Sequence, residues 1–427
     1  MLIFTFPIQL LMVQLFKKGL FFVLFPILSI GQITETNPPE YIKTITFRGQ
    51  TNESQLPILR LGDPVVLEFD ALNGNEDDYY YVIEHFNFDW SRTQLAKSEY
   101  LRGFDNQRIR DYQNSFNTYQ IYSHYKLTVP NEQTRGLLKS GNYLISIYDD
   151  DNTLIFSRKF MIYEDLVNVG VSIKRSRDVK FINEKQCVDI VISTNSINFN
   201  NPLETIKTLV VQNNNLNTTI SDLKPQYVLG NQLIYKYTTE SSFWAGNEYL
   251  FFENKDVRAA NVGVQFIDLL DIYHNYLFTN VERASKPYTY NPDINGNFLV
   301  TALGADDVSI EADYTMIHFS LLYPELTDGS NIYVYGNFNN YALNEANKMA
   351  FDPQSGHYEA VFKLKQGFYN YKYVVVDANG NLDEGAISGN FYQTENNYKV
   401  LVYYRDLGAR YDRLIGLGEA SSINISN

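Results

Sequence analysis

The chain has 427 residues, a formal net charge of −14, 34 tyrosines, 28 phenylalanines, 13 prolines and one cysteine. An acidic chain without a basic patch is a poor partner for nucleic acid or an anionic lipid surface. The single Cys187 excludes an intramolecular disulfide, and its place in the strand-like run Cys-Val-Asp-Ile-Val-Ile reads as a small core hydrophobe rather than a nucleophile.

The first residues predict a secretory signal over 1–31. No acid precedes Glu35, the pair Lys17-Lys18 leads into an uncharged run, and Ser29 and Gly31 supply small residues before Gln32. That run is about 12 residues against the roughly 20 needed to cross a bilayer, so removal is expected rather than anchoring. Met12 offers an alternative start with a shorter n-region. Cleavage removes two lysines and no acid, giving −14 − 2 = −16 for the mature chain. No cysteine stands at the cleavage site for a lipid anchor, and no later segment is long and apolar enough to span as a helix. An exported protein with no direct membrane insertion is expected.

Abundant tyrosine and phenylalanine with little proline suit strands with well-filled faces, and tyrosine is also a preferred contact residue of binding surfaces. The predicted fold class is all-β, built of tandem immunoglobulin-like β-sandwich domains with little helix. The first unit, 32–165, alternates with period two in Pro64–Asp70, Asp78–Phe86, Tyr122–Val129, Tyr143–Tyr148 and Thr153–Tyr163. Asp149-Asp-Asp-Asn152 reads as the hairpin turn joining the last two, not as a calcium site. The second unit, 166–307, carries Cys187–Ile192, Thr208–Gln212, Gln232–Tyr237 and Val262–Ile267 between Asn-rich connectors such as Asn213–Asn217. The third unit, 308–405, runs from Tyr314–Tyr323 through Asn331–Asp377 and closes with Tyr398–Tyr404. In His357–Lys365, Tyr358, Ala360, Phe362 and Leu364 fall on one face, and Glu359, Lys363 and Lys365 on the other. Residues 406–427 read as a C-terminal tail that frays at its polar end.

No catalytic constellation emerges, and a non-enzyme without metal or cofactor is expected. His85, His124, His274, His318 and His357 are scattered, with no zinc spacing. Nucleophile elbow, Walker loop and dinucleotide fingerprint are missing. The acid pairs Asp77-Asp78, Asp306-Asp307 and Asp383-Glu384 sit at turns, where solvated acids outweigh glycosidase carboxylates. Asp377–Asp383 has its glycine at the fourth place rather than the sixth of a calcium loop, and reads as an Asn-Gly hairpin turn.

Two resemblances bear on function. Val334-Tyr-Gly-Asn-Phe-Asn-Asn340 and Gly367-Phe-Tyr-Asn-Tyr-Lys-Tyr-Val-Val-Val-Asp377 resemble strands of the immunoglobulin-like starch- and glycogen-binding modules, with Lys372 at a sugar-contacting position. The stacking tryptophans of that family correspond to Tyr341 and to Asn379–Leu382, which has no aromatic, so the resemblance implies the fold more than the ligand. A periplasmic glucan-binding protein is the alternative reading.

The whole mature chain is similar to the plug protein family of the Bacteroidetes type IX secretion system. The resemblance rests on Asp89-Trp-Ser near Glu99-Tyr-Leu-Arg-Gly103, Ser140-Gly-Asn-Tyr143, Phe243-Trp-Ala-Gly-Asn-Glu-Tyr249, Asp293-Ile-Asn-Gly-Asn-Phe298, Glu311-Ala-Asp-Tyr314 and Gly408-Ala-Arg-Tyr-Asp-Arg-Leu-Ile-Gly416. It implies a periplasmic protein that docks on the inner mouth of the outer-membrane β-barrel translocon and seals it. For the contacting residues the expectation is an aromatic- and Asn-rich loop tip at Asn337, Asn339, Asn340 and Tyr341, with Asn213–Asn217 as a second.

Overall fold

The computed structural model describes residues 33–49, 55–194, 197–423 and 425; the predicted signal over 1–31 and its cleavage point before Gln32 lie outside the described residues. Strands dominate, and the α-helices are single turns such as Lys97–Tyr100, Pro202–Thr205 and Val308–Glu311. Among the described residues no helix is long and apolar enough to cross a membrane.

Period-two alternation puts apolar side chains on one face of each strand, and pairs of sheets bury those faces against each other. In the first unit a four-stranded sheet holding Ile42–Arg48, Val65–Ala71 and Ser123–Val129 faces a five-stranded sheet holding Tyr80–Phe86, Gly141–Tyr148 and Leu154–Tyr163. Phe69, Tyr125, Phe156 and Phe160 fill the space between them. Tyr143 pairs in register with both His85 and Phe160, fixing the middle of the second sheet.

The remaining chain departs from the expected order of units. Asn397–Tyr404 does not close the third unit; it pairs with Ile206–Gln212 of the second, with Thr208 opposite Val402. Arg413–Ser421, expected in the tail, is a strand paired with Asn397–Tyr404 in the same sheet. Val264–Leu269, expected in the second unit, pairs with Tyr273–Leu277 in a sheet with Tyr314–Leu322 and His357–Lys365. The third sandwich is therefore an insertion: the chain leaves the second unit after Ser242–Trp244, builds the third from Leu250 onward, and returns to complete the second.

The physical reason lies in burial on both faces. Tyr398, Val400 and Val402 face the core of the second unit, while Leu401 and Tyr403 pack with Met161 and Leu414 against the first. A strand covered on both sides needs a continuous apolar run, which Val400-Leu-Val-Tyr-Tyr supplies.

Candidate interaction surfaces

The strand Asn331–Tyr335 delivers Gly336 into a single 3-10 turn, Asn337–Asn339. Asn340 and Tyr341 follow with φ of 55° and 54°. Asparagine tolerates this left-handed region, whereas a bulky tyrosine holds it only when surrounding contacts over-determine it. Those contacts are internal. Tyr341 is buried, and its hydroxyl donates to the Asn213 carbonyl at 3.2 Å. Asn217 Nδ2 donates to the Tyr341 carbonyl at 3.0 Å, and Asn215 Nδ2 to the Tyr335 hydroxyl at 3.0 Å. Asn337 donates to Asn297 Oδ1, Asn339 to the Val334 carbonyl and Asn340 to Glu35 Oε2. The two expected tips, Asn337–Tyr341 and Asn213–Asn217, thus meet each other across the seam between the second and third units. Asn337, Tyr341, Asn213 and Asn215 are buried there, while Asn339 and Asn340 are half-buried and Asn217 stays exposed; a seam between polar loops has the same Asn-rich composition as a solvated loop.

The face that would meet a glucan is likewise occupied. Lys372 is buried and pairs with Glu384, and its ammonium sits 4.9 Å from the centroid of the Tyr249 ring.

Tyrosine hydroxyls recur at the other seams. Between the first and third units, Tyr314 Oη donates to Asp70 Oδ2 at 2.6 Å, and Tyr122 Oη donates to the Ala312 carbonyl at 2.9 Å. Asp70 also pairs with Lys365 Nζ at 2.7 Å and lies 2.7 Å from His124 Nδ1. Both Asp70 and Lys365 are fully buried. Burial pushes the Asp70 carboxyl up, but the Lys365 charge and the bonds from His124 and Lys365 outweigh it and hold it below the usual carboxylate range. Between the first and second units, Tyr403 Oη donates to Asn142 Oδ1 at 2.6 Å, while Asn142 Nδ2 donates to the Asn87 carbonyl at 2.9 Å. Phe88 N donates to Asp412 Oδ2 at 3.1 Å and Arg413 pairs with Glu164 at 2.6 Å. At least twelve tyrosines are almost fully buried. The tyrosine bias therefore serves cores and seams more than an outer surface.

The candidate catalytic acids have local structural partners. Asp307 caps the turn at Val308–Glu311 by accepting from Ser309 N, Asp78 pairs with Arg108, Asp77 accepts from Asn73, Asp383 accepts from Gly385 N and Glu384 takes Lys372. Asp149 accepts from Thr153 N, and Asp377 from the amides of Asn379 and Asn381, as turn-closing groups do. Cys187 is buried. Among the described residues no group of three or more His, Cys, Asp or Glu side chains could hold a metal ion.

One group of exposed aromatic side chains lies where the first and third units meet. Phe116, Tyr119 and Ile121 project from the loop before Ser123–Val129, each more than half exposed. Tyr119 is anchored by its amide to Asp313 Oδ1 at 2.7 Å and packs edge-on against Tyr273, with ring centroids 5.3 Å apart. On the adjoining sheet Phe266, Tyr276 and His318 stack in a row at 4.2 and 4.0 Å, in line with the cross-strand register. Phe266 and His318 lie on two predicted strands, Val262–Ile267 and Tyr314–Tyr323; the strand Tyr273–Leu277 that carries Tyr276 between them was not predicted, and the pairing partners were not readable.

Residues 42–164 match the family model described as the type 9 secretion system plug protein 1st domain, a span that coincides with the first sandwich. A solved structure of a hypothetical protein from Parabacteroides merdae ATCC 43184 is 33% identical, with a TM-score of 0.87, covering 92% of this chain and 100% of that one. A trypsin-activated alpha-2-macroglobulin from Escherichia coli reaches 8% identity and a TM-score of 0.18 over 91% of this chain and 29% of its own, and carries no argument. Among curated proteins none matches the chain. The full-length correspondence in architecture and the match of the first sandwich lead to one conclusion: the chain belongs to the type IX secretion system plug protein family.

Proposed function

We propose that this protein is a periplasmic plug that binds the inner mouth of the outer-membrane type IX translocon and seals its pore by protein–protein contact. The observation that carries the reading is the match of residues 42–164 to the plug-family model. That family is a secretion-system plug and not a known enzyme family.

Three physical features support it. Sealing a wide aqueous pore needs a body that does not flex, and three sandwiches tied by an inserted unit, buried tyrosine bonds and the Asp70–Lys365 pair meet that need. It needs a broad contact, above the roughly 1,600 Å² of a standard complex, and reversible release favours a polar rim around a limited aromatic centre. The face formed by Phe116, Tyr119, Ile121, Phe266 and Tyr276 has that centre, and it is our candidate for the docking side. Affinity purification of the protein from detergent-solubilised membranes tests the reading. Co-purification of an outer-membrane barrel is expected, together with entry of a normally excluded dye when the protein is deleted. Recovery as a free monomer with unchanged permeability would defeat it.

A further inference from the structure

The geometry points to a second binding site: the cleft between the first and third units takes an extended acidic peptide segment, gripped through its carboxylates. The cleft has a volume of about 570 Å³, walled by residues 37–47 of the first unit and by residues 337–347 and 361–364 of the third. A cavity this size falls in the range of roughly 300–1,000 Å³ that holds an organic ligand, well beyond what a lone inorganic anion fills.

Its charge is the unusual part. Lys43, Arg158 and Lys363 line it, and among the described residues none of the three has a carboxylate within ion-pair distance. Arg158 is 8% exposed, yet among the described residues its guanidinium donates only to the neighbouring Ser157 carbonyl, at 2.8 Å, and lies 5.5 Å from the Phe156 ring. A guanidinium carries five N–H donors, and burying one with a single neutral acceptor is costly unless something else completes it. Lys363 donates to the neutral Gln120 Oε1 at 2.8 Å. Two acids stand near. Glu40 is exposed at the rim, and Glu35, near Arg158, already accepts from Lys159 N at 2.5 Å and Asn340 Nδ2 at 2.7 Å. In a chain of net charge −14, three cations that among the described residues make no ion pair converge on one cleft beside two acids, a local balance of 3 − 2 = +1.

An extended peptide fits the walls better than a compact anion. The strand Ile42–Arg48 is the outer strand of its sheet and pairs on one side only, with Val65–Ala71. A bulge between Lys43 and Thr46 puts Thr44 at φ 49°, a conformation that a β-branched residue holds only under constraint. The oxygens of Gln55 and Asn344 already accept from Phe47 N and Ala346 N, which leaves their amide N–H groups as donors, Asn339 Oδ1 is a buried acceptor with no partner among the described residues, and Phe338 and Phe362 supply apolar wall. Guanidinium and ammonium groups then read the carboxylates.

Isothermal titration of the mature chain with acetyl-Glu-Glu-Glu-amide, acetyl-Gln-Gln-Gln-amide and inorganic phosphate tests this. The glutamate peptide is expected to bind in a salt-dependent manner and the glutamine peptide not at all, with R158M and K363M each weakening binding roughly tenfold. R158M is expected to keep its circular dichroism and to melt no lower than the parent, because the methionine removes an unsatisfied buried charge. K363M, at a partly exposed position, keeps the test open should R158M fail to fold. No binding of the glutamate peptide, undiminished binding in K363M, or binding of phosphate that displaces the peptide would overturn the assignment.

Discussion

The Tyr341 hydroxyl donates to the backbone carbonyl of Asn213 at 3.2 Å, joining two loops 128 residues apart in sequence inside a buried seam. Both loops have the composition of solvated tips, and the bond holds Tyr341 and Asn213 inside the seam instead. Y341F removes the hydroxyl that bonds both the Asn213 carbonyl and the Tyr249 hydroxyl, and should cost about 1–2 kcal/mol in urea unfolding. Y341A also empties the space of an aromatic ring and should cost about 3–5 kcal/mol. If both variants match the parent, the seam is not closed in solution.

The Asp70–Lys365 pair is the buried electrostatic tie between the first and third units. Removing one partner leaves an uncompensated buried charge, so K365M should destabilise by about 3–5 kcal/mol. The double variant D70L/K365M should recover much of that loss, because well-packed apolar residues can replace a buried ion pair with little penalty. Urea titrations of the three proteins check both statements.

Acid sensitivity should come in part from His85. Burial outweighs the hydrogen bond to the Ser140 carbonyl, which acts the other way, and with the nearby Lys139 charge lowers this imidazole from its ordinary 6.5 to about 4. A base with a depressed folded value binds fewer protons folded than unfolded across that window, so its contribution is present above 6.5 and is lost as pH falls toward 4. A shift of that size corresponds to about 3 kcal/mol. Melting curves between pH 7 and 4 should show that slope in the parent and a weaker one in H85Q.

Truncation distinguishes the two readings of the C-terminus. Ending the chain after Asp406 deletes the strand Arg413–Ser421, which covers one edge of the second unit's sheet and carries Ile415 into its core. The shortened protein should expose the second unit to limited proteolysis while the first unit survives. Equal resistance would mean that the segment is a dispensable tail.

Legibility followed the range of the interaction. Strands whose alternation is local, such as Tyr80–Phe86 and His357–Lys365, were readable to within a residue or two. Sheet membership was not, because Asn397–Tyr404 finds its partner nearly 200 residues upstream and nothing local names Ile206–Gln212. Its unbroken apolar run was the available signal of burial on both faces. The short sequence blocks make sense only in place: Gly141, at φ 138°, leaves room for His85 Nε2, which a Cβ would meet at 2.6 Å, and the adjacent Asn142 receives Tyr403. The asparagines at 337–340 misled because hydrogen bonding to a facing loop and to water demand the same side chains.

The exposed aromatic face gives the docking proposal its own variants. F116A should leave unfolding unchanged within about 0.5 kcal/mol, while Y119A and F266A each lose one surface ring pair and should cost about 0.5–1.5 kcal/mol without unfolding the protein. Together they should weaken retention on solubilised outer membranes, since exposed rings of this kind act as anchors at interfaces. Retention equal to the parent would move the docking side elsewhere.

The most direct measurement is a pull-down of the tagged protein from detergent-solubilised membranes, with the bound proteins identified by mass. The account predicts a large outer-membrane β-barrel protein in the eluate, diminished by the F116A/Y119A/F266A combination. Its absence, with the protein recovered alone from membranes that contain the barrel, would contradict the proposed role.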